Sequence, residues 1–427
     1  VRVSLIVVVI LYLQWISGCG VSKHYYIRLD HALAVQDYEG ALEILKPEEY
    51  GSRNEVLYDL DRGTVLQIAE DFTGSIKHFD RADKKMDELY TVSITKLTES
   101  FIVNDNASPY EGEDFEKALV NMFQALNYVW LGELDEALVE CRRVNTKLGI
   151  LNQKYEKKNI YREDAFVRYL AGILYEARGE DNDAYISYRK AIKVYRTDYR
   201  DFYGTEEPPW LEEDIMRTGI RSGVLEQESG RIQGGGENGE IVVVFFNGLS
   251  PRKVEDHLII PLPGDKVAKI AFPVFQPVSR RATSARIYAD GQDIGQTVLA
   301  EDIEAIAIKN LEDRRGRAIL KLGTRQAVKY LISKGIGDLA GERAGREMGK
   351  LVGFLASAAL AAAEVADVRS WRTLPAQIQI GRFSLPSGMH EITIQPMGHG
   401  GFSSSPIVRN VFVRKGRITF VSACVND

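Results

Sequence analysis

Two stretches of this chain repeat each other, and the repeat constrains the fold more than any other feature. Ala125-x2-Tyr128-x3-Gly132-x4-Ala137 recurs as Gly172-x2-Tyr175-x3-Gly179-x4-Ala184, shifted by 47 positions (125 to 172). Each unit runs small, aromatic, glycine, alanine at identical offsets, inside a segment with helical apolar periodicity. Residues 23–200 carry this periodicity with short turn signals between, which reads as antiparallel helical pairs. A pair of this kind cannot bury its apolar face alone, so neighbouring pairs stack into a curved array. The small residues let paired helices approach, and the aromatics fill the space between pairs.

Two weaker units lie upstream. Gly63, Leu66, Phe72, Ser75, Phe79 and Ala82 fit the same frame, and Asp37 to Leu42 fit its second half. These positions resemble the tetratricopeptide (TPR) pattern, whose usual unit is about 34 residues. The lysine-rich KLGILNQKYEKKN (147–159) supplies the extra length as a longer second helix or loop. A plain helical bundle is the alternative. TPR arrays present concave surfaces that bind proteins or peptides, so the resemblance implies a protein-binding module. Tyr161, Tyr169, Tyr175, Tyr185, Tyr188, Tyr195, Tyr199, Phe202 and Tyr203 crowd one segment. They serve either packing between repeats or a recognition groove.

The N-terminus, VRVSLIVVVILYLQWISGCG, places Arg2 before an apolar stretch from Val3 to Trp15 and ends in small residues before Cys19. That is an export-signal pattern. ISGC resembles a bacterial lipobox, which implies cleavage before Cys19, a signal peptide over 1–18 and lipid attachment at Cys19. An uncleaved membrane anchor over Val3–Ser22 is the alternative. Gly20 after the cysteine leans towards the outer membrane, with the protein facing the periplasm. Cys141 and Cys424 have no CxxC or metal-ligand spacing, so a buried free thiol is expected at Cys141; an oxidising compartment would also allow them to pair.

Composition shifts at 204–239. GTEEPPWLEED forbids helix continuation at its prolines, and ESGRIQGGGENGE is a flexible connector, with a short helix expected near Trp210–Arg221 between them. Beyond it the pattern becomes β. Strands are expected at Ile241–Phe246, Leu258–Ile260, Val267–Val274, Ala285–Ala289 and Gln296–Leu299. Helix follows from Asp302, with Ile303, Ile306, Ala307 and Leu311 on one face, then a second helix at about Arg317–Ser333 and a third at about Gly337–Val365. Strands return at Ala376–Phe383, Glu391–Gln395, Ile407–Arg414 and Arg417–Ala423.

The expected fold class is α+β multidomain. A TPR-like α-helical repeat array over 19–203 precedes the 204–239 linker. A β-sandwich-like domain over 240–427 then carries an inserted Gly/Ala-rich helical segment at about 302–366. The helical pairs, then VVVFFNGLSPRK, then ADVRSWRTLP (366–375) resemble a family of uncharacterised bacterial TPR-containing lipoproteins over nearly the whole chain. That resemblance implies the architecture and no reaction. From the residues alone, Asp367, Arg369 and Trp371 read as a structural corner, an Arg–Asp pair beside a buried indole, or as a peptide- or glycan-binding surface.

Gly337, Gly341, Gly345, Gly349 and Gly353 recur every fourth position. Each lowers helix stability by up to about 1 kcal/mol. Small-xxx-small spacing lets two helix backbones come close. The stripe therefore packs on the helix expected at Arg317–Ser333, on a second copy as a homo-oligomer contact, or against a membrane.

No catalytic constellation emerges. The six histidines lack HExxH, CxxC or ExxH context, so neither metal nor cofactor is expected. His390 and His399 flank one loop-and-strand segment and are the best metal pair on offer. GQDIGQ and QGGGENGE lack the lysine of a phosphate loop, and no serine sits in GxSxG. A net charge of −6 argues against nucleic acid. The expected function is a non-enzymatic, lipid-anchored envelope scaffold that binds other envelope proteins, or else a structural subunit of an outer-membrane assembly.

Overall fold

The structure is a computed structural model and describes residues 23–96, 108–155, 159–226, 238–262, 266–322 and 366–426. Cys19, the glycine stripe at 337–353 and most of the helix expected over 317–333 lie outside the described residues.

Four helical pairs open the chain: α1 (Lys23–Ala34) with α2 (Tyr38–Ile44), α4 (Glu55–Ile68) with α5 (Phe72–Lys96), α6 (Asp114–Leu131) with α7 (Leu134–Lys154), and α8 (Ala165–Arg178) with α9 (Asp181–Val194). The one-turn α3 (Pro47–Tyr50) joins the first pair to the second. Each pair turns through a residue at positive φ: Gln36 (60°), Glu70 (65°), Gly132 (76°) and Gly179 (80°). An acidic residue follows each one. Asp37 and Asp71 accept from the amides of Gly40 and Gly74, which caps the second helix.

Ala41, Ser75, Ala137 and Ala184 occupy one equivalent position on the second helices, and all are fully buried. Facing them, Gly63 and Gly172 admit an aromatic ring from the partner helix. A Cβ at Gly63 would meet the Phe79 ring at 2.6 Å, and one at Gly172 would meet the Tyr188 ring at 2.3 Å. Ala125, at the corresponding position of the third pair, is fully buried.

Gly132 and Gly179 depart from the close-packing expectation. Both are exposed, and a Cβ on either would meet nothing within 4 Å. Their left-handed backbone at the helix end accounts for the glycine instead. Tyr128 and Tyr175 are half-buried and pack against the core.

The stretch expected as a linker is structured over its first part. A π-type turn continues α9 through Tyr195–Tyr203, and α10 (Leu211–Arg221) packs back on α9. Leu211 and Thr205 are fully buried.

The second half holds β1 (Asn238–Leu249), β2 (Arg252–Leu262), β3 (Lys266–Gln276), β4 (Ala282–Ala289), β5 (Gln292–Gln296), β6 (Val298–Asp302), α11 (Ile303–Leu322), β7 (Pro375–Pro386), β8 (Gly388–Gly398), β9 (Ile407–Val413) and β10 (Ile418–Val425). One sheet has the order β10-β1-β7-β6, another β5-β4-β8-β9, and β2-β3 is a separate hairpin. β1 pairs in parallel with β10 and antiparallel with β7. The strand expected at Gln296–Leu299 instead breaks at Thr297, which is buried and bonds to Ala285 and Gln379. The two helices expected from Asp302 are one continuous helix as far as Leu322. Ile303, Ile306, Ala307 and Leu311 are all buried on it.

IVVVFF is apolar throughout because both faces of β1 are covered. Ile241, Val243 and Phe245 face the second sheet, in a core shared with Ile287, Ile392, Ile394 and Val421. Val242, Val244 and Phe246 join a larger core that runs from Tyr25 through the repeats to Cys424. One continuous core unites the helical pairs with the first sheet.

Candidate functional site

A partner peptide was expected against the repeats, and the first helices α4 and α6 are met there by the second half of the chain. On α6, Asp114 through Asn127 are buried without interruption. Phe123 stacks on Phe246 of β1 at 5.8 Å, and Phe115 meets Phe275 of β3 edge-on at 6.0 Å.

The segment 366–375 enters this contact through Trp371 and Thr373. Trp371 is fully buried, with its ring centroid 5.6 Å from both Phe79 and Phe123. Its indole N–H donates to Thr64 Oγ1 at 2.9 Å, and its backbone N–H donates to Glu116 Oε1 at 2.7 Å. Thr373 donates through Oγ1 to Asp61 Oδ1 at 2.9 Å, and Tyr50 holds the other carboxylate oxygen at 2.7 Å.

Arg369 pairs with Asp367 at 2.7 Å and donates to Asn54 Oδ1 and Ser108 O, each at 3.1 Å. Its guanidinium also sits 5.3 Å from the Tyr110 ring centroid. Arg372 reaches Asp30 at 3.2 Å over the Tyr26 ring. The arrangement decides between the two readings of this segment. Arg369 and Trp371 are 8% and 0% exposed, so they form the structural corner and offer no peptide- or glycan-binding surface.

Charge is buried with the segment. Burial pushes the Glu116 carboxyl up to about 7, and the Glu113 charge adds to this against donors from Tyr110, Trp371 and Glu113. Burial likewise raises Asp61 to about 6, opposed by Tyr50 and Thr373. Burial alone would raise Glu113 too, but the Arg314 and Lys253 cations hold it down at about 2. These pairs join α6 to β2 and α11 across this contact.

A second buried cluster ties α8 and α10 to β7. Arg382, 5% exposed on its side chain, reaches Glu176 at 2.9 Å, Asp214 at 3.2 Å and Glu240 at 2.6 Å. A third joins the tyrosine-rich segment to β6. Tyr195 donates to Ala300 O at 2.9 Å and Tyr199 to Glu301 Oε1 at 3.1 Å. The aromatic groove considered from the sequence is thus occupied by the chain's own strand.

Sequence reasoning missed Glu113, Glu116, Lys253 and Glu301, because each meets a partner more than a hundred positions away. Arg382 carried a visible signal, a lone cation within the apolar QIQIGRF.

Cys141 and Cys424 are both buried free thiols. His390 bonds Asp290 and the Pro386 carbonyl. Among the described residues, no group of three or more His, Cys, Asp or Glu could hold a metal, and no helix is long and apolar enough to cross a membrane.

No family model matches the chain, and no curated protein matches it. Solved structures do match. RapI in its apo form is 11% identical over 47% of this chain, with a TM-score of 0.34. MamA is 13% identical over 48% of this chain and 96% of its own, with a TM-score of 0.26. The nearly identical TPR-like repeats of a Podosopora anserina kinesin light chain are 11% identical over 49% and 90%, with a TM-score of 0.31. The chain spans about half the length of RapI, 48%. At these TM-scores the likenesses carry no argument of their own, and the helical-repeat description rests on the pairs, caps and turns given above.

Proposed function

We propose that this chain is a non-enzymatic, lipid-anchored scaffold of the cell envelope, in which a TPR-like array holds its own β-rich half and offers its remaining surface to other envelope proteins. The observation that carries this reading is the seating of Trp371 and Thr373 against the repeat helices. With Trp371 buried and its neighbours Arg369, Arg372 and Thr373 bonded to the helical half, this contact is a structural joint. Partners then engage the outer helices and the sheet edges. The ISGC sequence supports attachment of lipid at Cys19, a periplasm-facing position and the outer membrane as the site of anchoring.

Site-specific photo-cross-linking in the native envelope tests the scaffold. Probes at Ile150 and Ile186, exposed residues on α7 and α9, are expected to capture other proteins. A probe at position 371 is expected to capture only its own chain. Foreign adducts at 371 would contradict the self-filled groove, and the absence of adducts at every outer position would contradict the scaffold. The anchor is tested separately. Cys19→Ala is expected to leave an unprocessed precursor without incorporated fatty acid, and unchanged labelling would refute lipid attachment.

A further inference from the structure

The first helix, α1, has one side in the core and one side free. Tyr25, Tyr26, Leu29, Ala32 and Leu33 are buried in the core shared with the other pairs. His24, Ile27, Arg28, His31 and Ala34 are exposed, and so is Val35 just beyond the helix end. Val35 N–H donates to His31 O at 3.1 Å, so the helical turn continues through it. At 3.6 residues per turn, these six positions fall within an arc of about 120°. Ile27 and Val35 on that arc are 53% and 58% exposed. Single exposed apolar side chains are ordinary. Two on one arc, with a cation between them, match a helix that lies in a membrane interface.

Charge sets this face apart. The chain carries a net charge of −6, yet none of the six residues on the arc is acidic. The acid of α1, Asp30, is taken up by Arg252 at 2.5 Å and Arg372 at 3.2 Å. Beside Arg28 an open cleft of about 450 Å³ lies between α1 and α2. Arg28, Gly40, Glu43, Ile44 and Lys46 line it, two cations against one carboxylate. A face of this sign suits an anionic surface.

The length of chain before α1 names the occupant. Cys19 precedes Lys23, where α1 starts, by four positions. Four residues reach at most about 14 Å. The headgroup layer of a bilayer is about 5–8 Å deep, and a helix with its side chains is about 10–12 Å across. A lipid on Cys19 therefore holds the first turn of α1 in or against the headgroups. The other side of α1 is filled by the core, so the exposed arc is the side that a membrane can meet.

We propose that the exposed arc of α1 lies along the headgroup layer of the leaflet that holds the Cys19 lipid. Ile27 and Val35 reach below the phosphates, and Arg28 and Lys46 pair with them. This rests on the lipid-anchor reading given above, and adds the face that the anchored chain turns to the membrane.

The test uses the full lipidated chain, with the lipid at Cys19 checked by mass. It is placed in vesicles of phosphatidylethanolamine and phosphatidylglycerol that carry bromine on their acyl chains. A bimane label goes on Ile27→Cys, on Val35→Cys or, as the reference, on Ile186→Cys of α9, an equally solvent-facing site. Cys141 and Cys424 are buried, so the introduced thiol takes the label. Bromine is expected to quench the label at 27 and 35 and to leave the label at 186 bright. Arg28→Gln should lower the ratio of docked to undocked chain, read as quenching at 35, about fivefold, the worth of one cation at an anionic surface. Circular dichroism reports that the fold persists in each variant. Lipid at Cys19 without quenching at 27 and 35, or equal quenching at all three positions, overturns the docked face and leaves the anchor standing. A chain of unlipidated mass overturns both.

Discussion

Replacing Trp371 by alanine should cost this protein a large part of its stability. Truncating a fully buried aromatic side chain to alanine costs about 3–5 kcal/mol. Trp371 is 0% exposed and touches Phe79 and Phe123, so the upper part of that range applies. Its indole N–H also leaves Thr64 and Thr373, which keeps the total on the order of 5 kcal/mol. Against a stability of about 5–15 kcal/mol for a typical native protein, that is a third or more. Trp371→Phe retains most ring contact and loses the hydrogen bond, so it should cost about 1–2 kcal/mol. Urea unfolding followed by circular dichroism measures both. A double-mutant cycle with Phe79→Leu should show coupling of about 0.5–3 kcal/mol, because the two rings meet directly. A Trp371→Ala protein within about 1 kcal/mol of wild type, or purely additive effects with Phe79→Leu, would refute the seating of this segment in the repeats.

Gly172→Ala should destabilise by about 1–3 kcal/mol despite its better helix propensity, because its Cβ would lie 2.3 Å from the buried Tyr188 ring; the melting temperature checks this. Arg382→Met removes one of the two cations shared by Glu176 and Asp214, 4% and 1% exposed on their side chains; Arg217 still pairs with both, so the cost in denaturant unfolding should be about 1–3 kcal/mol, and Arg217→Met in the same protein should add to it by more than it costs alone. Glu116 is raised from 4.5 to about 7 in the fold, so its contribution is fully present below pH 4.5 and is lost as pH rises to about 7. The loss is roughly 3 kcal/mol, and Glu116→Gln should flatten this part of the stability profile between pH 5 and 7 in urea titrations.

The helical pairs were legible because local residues set them. Glycine or a left-handed Gln or Glu closes each first helix, and an acidic residue opens the second. The apolar run of β1 and the buried stripe of α11 were legible for the same reason. Gly132 and Gly179 were placed correctly in the frame but given the wrong role, since spacing alone does not distinguish close approach from positive φ.

Residues 204–226 carry prolines and acids that resemble a connector. Their order comes from Arg217, which pairs with Glu176 on α8, a contact no local pattern announces. Asn121, Gln124 and Asn127 would pass for a solvent face on α6, yet all are 0% exposed. Asn121 is held by Glu140, and Asn127 by Gln67 and Ser75. The site differed most from expectation at the groove. ADVRSWRTLP is readable as a corner, but nothing in its own residues shows that the corner sits inside the repeats.

Hydrogen exchange of the 366–375 segment tests self-docking most directly. The backbone amides of Trp371 and Thr373 donate to Glu116 and Asp61, both buried between repeat helices. If the repeats hold this segment, those amides should exchange as slowly as the amides of α6, and should open only with the fold as a whole. Exchange at the rate of an exposed loop, while α6 stays protected, would show that the groove is free and that the repeats do not grip their own chain.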